Sequence, residues 1–122
     1  MKYQLSFCEI NQLFENVFET IPIEGSVINR NCVDECWSFW NKLRKKPFGL
    51  LVNCKNEFSF SPEGSLLIWK NPLQRKTAIL LNNAEQGNEI KNAIESKKIA
   101  GNYIYHQFFT DKKEAIKWLS DI

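Results

Sequence analysis

Cysteine and histidine are the side chains in this 122-residue chain that could support nucleophilic or metal chemistry. Cys32 and Cys36 are close enough in sequence to share one face of a helix, where two thiolates could bind a metal ion. Structural zinc needs about four ligands, however, and the remaining soft ligands are Cys8, Cys54 and His106. Nothing in the pattern brings Cys8 or Cys54 to Cys32, or His106 to a thiol. We therefore predict no metal site, no cofactor and no catalytic residue, and we expect reduced thiols that fill the core.

Ser61, in the segment FSFSPEG, is the residue best placed for a regulatory modification. Its position before Pro62 and Glu63 is typical of a helix N-cap followed by the first helical turn. A phosphate there would contact unpaired N–H groups and add roughly 1.5–2 negative charges. Capping alone explains the serine, and Glu63 would repel a phosphate. We favour capping and keep phosphorylation of Ser61 as the alternative, with Ser59 as a weaker candidate of the same kind.

The charge of the chain is nearly balanced, with 16 basic and 14 acidic residues and a net charge of +2. This excess is too small to indicate nucleic-acid binding. The basic run at residues 42–46 could contact anionic lipid or an acidic protein, but cations are also favourable where a helix ends. The chain shows no signal-peptide pattern and no apolar run near the ~20 residues of a membrane span. We expect a cytoplasmic protein without an integral membrane segment.

The first part of the chain alternates like β-strands and then changes to a helical period. We predict strands at Tyr3–Ile10 and Leu13–Ile23, paired as a hairpin near Asn11 and Gln12. Gly25–Asn29 is a short third strand or a continuation of the second. A helix should then run from about residue 31 to residue 46, with the asparagine at position 31 as its N-cap.

The second part alternates buried strands with amphipathic helices. Phe48–Cys54 is continuously apolar, which is typical of a central strand buried on both faces. The helix capped by Ser61 should carry Leu66, Leu67 and Trp69. After it we predict a strand at 76–83, a helix at 86–98 and an aromatic strand at 103–109. The last helix should be capped by Asp111, paired with Glu114. This order predicts one α/β domain over residues 1–122, with a mixed sheet of about five to six strands and about four helices packed on it.

The part of the chain after Pro47 resembles a known family. The strand KTAILLNN, a following helix and the ending FFTDKKEAIKWL are similar to SpoIIAA-like (STAS/SEC14) domains. The matching residues in the ending are Phe109, Glu114, Ala115, Ile116, Trp118 and Leu119. The resemblance implies a sheet covered by helices and no established enzymatic activity. STAS domains are regulatory, and in anti-sigma-factor antagonists a Ser or Thr at the start of the second helix is phosphorylated, although the usual D-S-[SG] signature is absent here. The SEC14 branch is associated with apolar ligands or lipids.

These observations predict a non-enzymatic binding or regulatory module that recognises a protein partner. The predicted binding surface is the end of the Phe48–Cys54 strand, the loop after it and the start of the following helix, because open α/β sheets bind ligands beyond the carboxyl ends of their strands. The predicted site residues are Asn56, Phe58, Ser59, Phe60 and Ser61, together with Phe39 and Trp69, whose rings we expect to be partly exposed.

Two other classes of function remain open. An apolar small-molecule or lipid carrier would have a cavity of several hundred Å³ between the sheet and the first two helices, whereas a filled core would favour partner binding. The predicted lining of that cavity is Trp37, Trp40, Leu66 and Trp69. An enzyme would need His106 within hydrogen-bonding reach of a cysteine. A homodimer formed through exposed aromatic side chains is compatible with either binding function.

Overall fold

The apolar segment after Pro47 forms a strand in the interior of a six-stranded sheet. The structure, a computed structural model, describes residues 1–68, 71–82, 87–88, 90–92 and 105–121. Its strands are β1 (Lys2–Gln4), β2 (Cys8–Phe14), β3 (Val17–Pro22), β4 (Ser26–Ile28), β5 (Phe48–Asn53), β6 (Phe58–Phe60), β7 (Gln74–Leu80) and β8 (His106–Phe109). Its helices are α1 (Arg30–Leu43), α2 (Pro62–Leu67) and α3 (Lys112–Leu119). Residues 87–88 and 90–92 are helical as well, within the predicted helix 86–98.

The main sheet has the strand order β1-β2-β3-β5-β7-β8. The first three strands pair antiparallel, and the pairs β3–β5, β5–β7 and β7–β8 are parallel. Strands β4 and β6 form a separate two-stranded parallel sheet. The predicted mixed α/β sheet is therefore confirmed, and β5 lies between two parallel neighbours, as its apolar run predicted. We call the two ends of the parallel strands the amino edge and the carboxyl edge of the sheet.

The predicted hairpin near Asn11 and Gln12 is wrong. The chain turns instead between β1 and β2, where the Leu5 amide donates to the Cys8 carbonyl at 2.9 Å, and again between Phe14 and Val17. Asn11 lies in the middle of β2 because its side chain hydrogen-bonds carboxylates on the face of the sheet. The true turns contain neither glycine nor proline, and their turn-forming residues Ser6 and Asn16 were overlooked in favour of Asn11 and Gln12.

The N-cap of helix α1 lies two residues earlier than predicted. Its N-cap is Asn29, whose side-chain oxygen accepts a hydrogen bond from the Cys32 amide at 3.1 Å, so the predicted cap Asn31 is wrong. The helix ends at Leu43 rather than at Lys46, because Arg44 is extended. The guanidinium of Arg44 donates to Asn16 Oδ1 at 2.6 Å and to the Glu15 carbonyl at 3.1 Å. These bonds hold the end of α1 against the turn between β2 and β3.

The other predicted helix caps are confirmed. The Ser61 hydroxyl accepts from the Gly64 amide at 2.9 Å, and the Asp111 side chain accepts from the Lys113 amide at 3.0 Å. Helix α2 ends at Leu67, before the predicted end near Asn71.

Alternation along the strands supplies two apolar layers. On one face, Phe48 packs against Trp40 of α1 with ring centroids 4.4 Å apart, and Phe18 lies 5.2 Å from the same tryptophan. On the other face, Leu51 packs with Ala115 and Leu119 of α3. Within the described part of the chain, no helix has the length and apolar character to cross a membrane.

Candidate functional site

A buried carboxylate lies on the face of the sheet that α3 covers. Glu19 of β3 is only 2% exposed, and its partners come from three other elements. Asn11 donates to it at 3.2 Å, Asn53 donates at 3.0 Å, and the ammonium nitrogen of Lys112 lies 2.9 Å from Oε2. Burial alone raises the pKa of Glu19, but the hydrogen bonds from Lys112, Asn53 and Asn11 outweigh it and bring the pKa below its ordinary value of 4.5.

A polar cleft of about 210 Å³ opens beside this network at the carboxyl edge of the sheet. Asn53 ends β5, Asn82 lies just beyond β7, and Thr110 directly follows β8. The described residues that line the cleft are Asn53, Lys55, Leu80, Leu81, Asn82, Thr110 and Lys112. Open parallel sheets bind ligands beyond the carboxyl ends of their strands, and this cleft occupies that position.

The chemistry of the cleft favours a small anion. Lys55 and Lys112 supply two ammonium groups, and both residues are exposed to solvent. Asn82 and Thr110 are exposed as well, and each has a side-chain hydrogen-bond donor. Charge-assisted hydrogen bonds from such donors are the usual means of holding a carboxylate or a phosphate.

Sequence reasoning missed this cleft, although a signal was present. Three neighbouring parallel strands each end at or near a polar residue, Asn53, Asn82 or Thr110, and such strands bring these residues together. No local sequence pattern indicates the role of Lys112, because its partner Glu19 lies on a strand that is distant in sequence.

The predicted binding loop is mainly structural in its contacts. The Asn56 amide donates to the Pro22 carbonyl at 3.0 Å, which ties the loop to the end of β3. Phe58 is buried, and Phe60 packs against it with ring centroids 5.7 Å apart. Ser59 is partly buried in β6, paired with Val27. These residues join β6 to β3 and β4 and do not line the cleft.

Ser61 is engaged on two sides at the start of α2. Its hydroxyl accepts from Gly64 and lies 3.4 Å from the Ile28 carbonyl, to which it can donate. Gly64 also lies close to that carbonyl, since a Cβ atom added there would be 1.9 Å from the Ile28 oxygen. Glu63 forms an ion pair with Arg30 at 3.6 Å, in which both side chains are exposed. Phosphorylation of Ser61 stays a prediction.

The predicted aromatic site residues differ in their placement. Phe39 is partly buried between Tyr3 and Trp40, with ring centroids 5.1 and 5.0 Å away. Its ring is therefore partly exposed, as expected, but packed on both sides. Trp69 lies outside the described residues, and so does the side chain of Leu66.

Cys8, Cys32 and Cys54 are buried, and Cys36 is partly buried. Although no sequence pattern brought Cys8 to Cys32, a charge on Cys32 would raise the pKa values of Cys8 and Cys36. Burial raises the pKa of Cys8 to about 11 and the pKa values of Cys36 and Cys54 to about 12. No group of three potential metal ligands occurs among the described residues.

A narrow apolar cavity lies between the main sheet and the layer formed by α1, β4 and β6. Its volume is about 50 Å³. The aromatic part of its lining is Phe7, Trp40, Phe58 and Phe60. A cavity of roughly 150 Å³ is needed for a benzene-sized guest, so this space is small for an apolar ligand. Of the two predicted lining residues whose side chains are described, Trp40 lines this cavity and Trp37 does not.

Comparisons with known proteins identify the fold. A scan against protein-family models finds no match, and a search of curated proteins finds none either. Among solved structures, an uncharacterized DUF3478-family protein with a SpoIIAA-like fold from Shewanella loihica PV-4 superposes with a TM-score of 0.54. It shares 15% identity, and the match covers 98% of each chain. This chain has a SpoIIAA-like fold. The SpoIIAA-like fold agrees with the predicted architecture and leaves the activity to be argued from the site.

Proposed function

We propose that this protein is a non-enzymatic binding module that recognises an acidic segment of a protein partner in the cleft at the carboxyl edge. The observation that carries the proposal is the cleft itself, where three parallel strands end and deliver two lysines, two asparagines and a threonine to one concave surface. The cleft of about 210 Å³ has room for one or two carboxylate side chains rather than for a large cofactor.

Lys112 is the residue that makes this surface selective. One of its three N–H donors is directed to Glu19, and its side chain is still 47% exposed. Glu19 neutralises part of the positive charge, so a ligand must compete through several donors rather than through charge alone. An acidic peptide satisfies this requirement, because it can contact Lys55, Asn82 and Thr110 together.

The cysteine and histidine chemistry of the chain supports a non-enzymatic role. Thiols with pKa values of about 11 and 12 are protonated near neutral pH, and a protonated thiol is a poor nucleophile. His106 begins β8 at the amino edge, whereas Cys54 follows the carboxyl end of β5. We place the module in the cytoplasm, where these thiols would stay reduced.

Ser61 offers a means of regulating the protein. Its phosphorylation would remove the hydroxyl proton available to Ile28 and set negative charge beside Glu63, with Arg30 as the nearby cation. The expected consequence is a rearranged start of α2, which follows β6.

A peptide titration tests the proposed function. Uniformly 15N-labelled protein is titrated with a capped oligo-glutamate peptide, and a capped oligo-glutamine peptide of equal length is the matched control. We expect backbone amide shifts at Asn53, Asn82 and Thr110 with the acidic peptide alone. Lys55→Gln should weaken the binding, and Lys91→Gln, which changes an exposed lysine outside the cleft, should not. Equal binding by Lys55→Gln, or shifts confined to other surfaces, would overturn the proposal.

The apolar cavity favours a second candidate function, an apolar-ligand carrier. Its lining is almost entirely apolar, but a volume of about 50 Å³ would have to expand before a lipid could enter. Native mass spectrometry of protein purified from its own cells separates the candidates. A co-purifying apolar molecule supports the carrier, and its absence supports the partner-binding module. The same spectrum reports a homodimer or a phosphate on Ser61.

A further inference from the structure

A second groove lies at the amino edge, at the other end of the parallel strands from the proposed peptide cleft. It is open and has a volume of about 530 Å³. Its lining is Asn16, Lys46, Pro47, Arg75, Lys76 and Tyr105. These residues come from the starts of β5, β7 and β8 and from the turn between β2 and β3.

The positive charge at this edge is only partly neutralised. Lys76 donates to the backbone carbonyls of Trp118 and Asp121 at 3.0 and 3.1 Å, so its charge is held in place by neutral dipoles. Arg44 is held in the same way by the Glu15 and Pro47 carbonyls and by the Asn16 amide.

Among the residues that the structure describes, few carboxylates oppose these cations. Glu15 lies 3.9 Å from Lys46, and both side chains are more than 70% exposed. Asp121 is the other acidic residue whose backbone contacts the cluster. Lys45 and Arg75 add two more exposed cations. Basic side chains are therefore clustered at the amino edge, while Lys55 and Lys112 lie at the carboxyl edge.

Two large apolar side chains are exposed at the same edge. Phe14, which precedes the turn that binds Arg44, is 56% exposed, and Tyr105, which lines the groove, is 52% exposed. The Tyr105 ring stacks on the Trp118 ring, with centroids 5.5 Å apart. Exposed aromatic rings beside basic side chains are the combination that binds a bilayer surface, where rings enter the interface and cations contact lipid phosphates.

We propose that the amino edge is a docking surface for an anionic lipid bilayer, with Phe14 and Tyr105 at the interface and Lys46 and Arg75 on lipid phosphates. Charge complementarity favours this partner over an apolar one, and the exposed rings favour it over a soluble phosphate ester. The docked protein would keep the carboxyl edge turned away from the membrane and open to solution. This inference is independent of the proposed peptide cleft.

Vesicle co-sedimentation tests the proposal. Full-length protein is mixed at low and at physiological salt with vesicles of phosphatidylcholine alone or with added phosphatidylglycerol. We expect sedimentation only with the anionic vesicles, and weaker binding at higher salt. Each basic side chain near a membrane surface contributes about fivefold in affinity, so K46Q/R75Q should bind roughly 25-fold more weakly. Phe14→Ser should lower binding severalfold without changing the salt dependence.

Matched controls distinguish docking from general electrostatics. K91Q/K113Q removes the same number of exposed charges outside the groove and should bind like the unchanged protein. Absence of sedimentation with anionic vesicles at low salt would overturn the proposal. So would equal losses in K46Q/R75Q and K91Q/K113Q, or undiminished binding by Phe14→Ser. Circular dichroism establishes that each variant is folded before it is compared.

Discussion

The carboxylate of Glu19 and the ammonium group of Lys112 lie 2.9 Å apart, and together they connect β3 to the first residue of α3. The pair is asymmetric, because the Glu19 side chain is 3% exposed and the Lys112 side chain is 47% exposed. A buried carboxylate that loses a charged partner is costly, whereas an exposed ammonium group can turn to water. The two residues should therefore respond differently to substitution.

Lys112→Met should destabilise the fold by about 1–3 kcal/mol, since it leaves the Glu19 carboxylate with only the amide donors of Asn11 and Asn53. Urea unfolding followed by tryptophan fluorescence measures the change in the free energy of unfolding. The matched control is Lys113→Met, an adjacent exposed lysine on the same helix, which should stay within about 0.5 kcal/mol of the unchanged protein. Equal effects of the two substitutions would show that the Glu19–Lys112 pair does not stabilise the fold.

The same carboxylate predicts how stability depends on pH. The folded state holds the pKa of Glu19 below the ordinary value of 4.5, so its contribution is present above that pH and is lost as the pH falls through the folded pKa. Glu19→Gln removes this contribution. The stability difference between the unchanged protein and the variant should be constant near neutral pH and shrink below about pH 4.5. Urea unfolding over a pH series measures it, and a difference that persists undiminished in acid would contradict the prediction.

Gly64→Ala should strongly destabilise the protein. The added Cβ would lie 1.9 Å from the Ile28 carbonyl oxygen and 2.8 Å from its carbon, and these backbone atoms cannot move without β4. We expect a loss of about 3 kcal/mol or more, the upper end of overpacking effects. Gly25→Ala is the comparison, because Gly25 has a φ of 79° and open space around it. It should cost about 1–2 kcal/mol from backbone strain alone. A larger loss for Gly25→Ala would contradict the close approach of α2 to β4.

The fold could be predicted because its main signals are local. The apolar run of β5 indicates burial on both faces whatever lies around it, and the capping residues Ser61 and Asp111 mark helix starts through their own neighbours. The first β-hairpins could not be placed, because β2 and β3 alternate continuously and neither true turn contains glycine or proline. Pairing in such a segment is decided by contacts across the sheet.

The network around Glu19, beside the cleft, could not be predicted for the same physical reason. Asn11, Glu19, Asn53 and Lys112 are distant in sequence and meet only when four elements pack together. Predicting Asn11 as a turn residue removed it from the face of the sheet, where it contacts Glu19. Without Asn11 beside it, the sequence predicts that Glu19 is exposed to solvent. In the structure, Glu19 is among the least exposed side chains that are described.

Substitutions of Ser61 can show how much of its contribution to stability comes from capping α2. Ser61→Ala should lower stability by about 1 kcal/mol, because the Gly64 amide loses its acceptor. Ser61→Asp keeps an acceptor for the Gly64 amide, so it should be more stable than Ser61→Ala, although it loses the proton that Ser61 can donate to Ile28. Ser59→Ala removes a hydroxyl that does not cap a helix and should have an effect within about 0.5 kcal/mol. Thermal unfolding of the three variants checks this order, and Ser61→Asp falling below Ser61→Ala would contradict it.

The buried thiols predict how slowly the folded protein reacts with alkylating reagents. Burial raises the pKa of Cys54 to about 12 and that of Cys8 to about 11, so almost no thiolate exists in the folded state at about pH 8. Iodoacetamide should therefore modify these two residues only through unfolding or local opening, and at a much higher rate in denaturant. Peptide mass spectrometry identifies the modified residues and their rates.

Gly64→Ala connects this measurement to the packing of α2. If alkylation of Cys54 proceeds through the open state, the rate should rise in proportion to the unfolded population that the substitution creates. Lys113→Met, which leaves stability nearly unchanged, should leave the rate unchanged as well. If Cys54 is modified rapidly in the stable protein, at a rate that these substitutions do not change, the thiol is accessible in the folded state. The packing around β5 would then not protect Cys54.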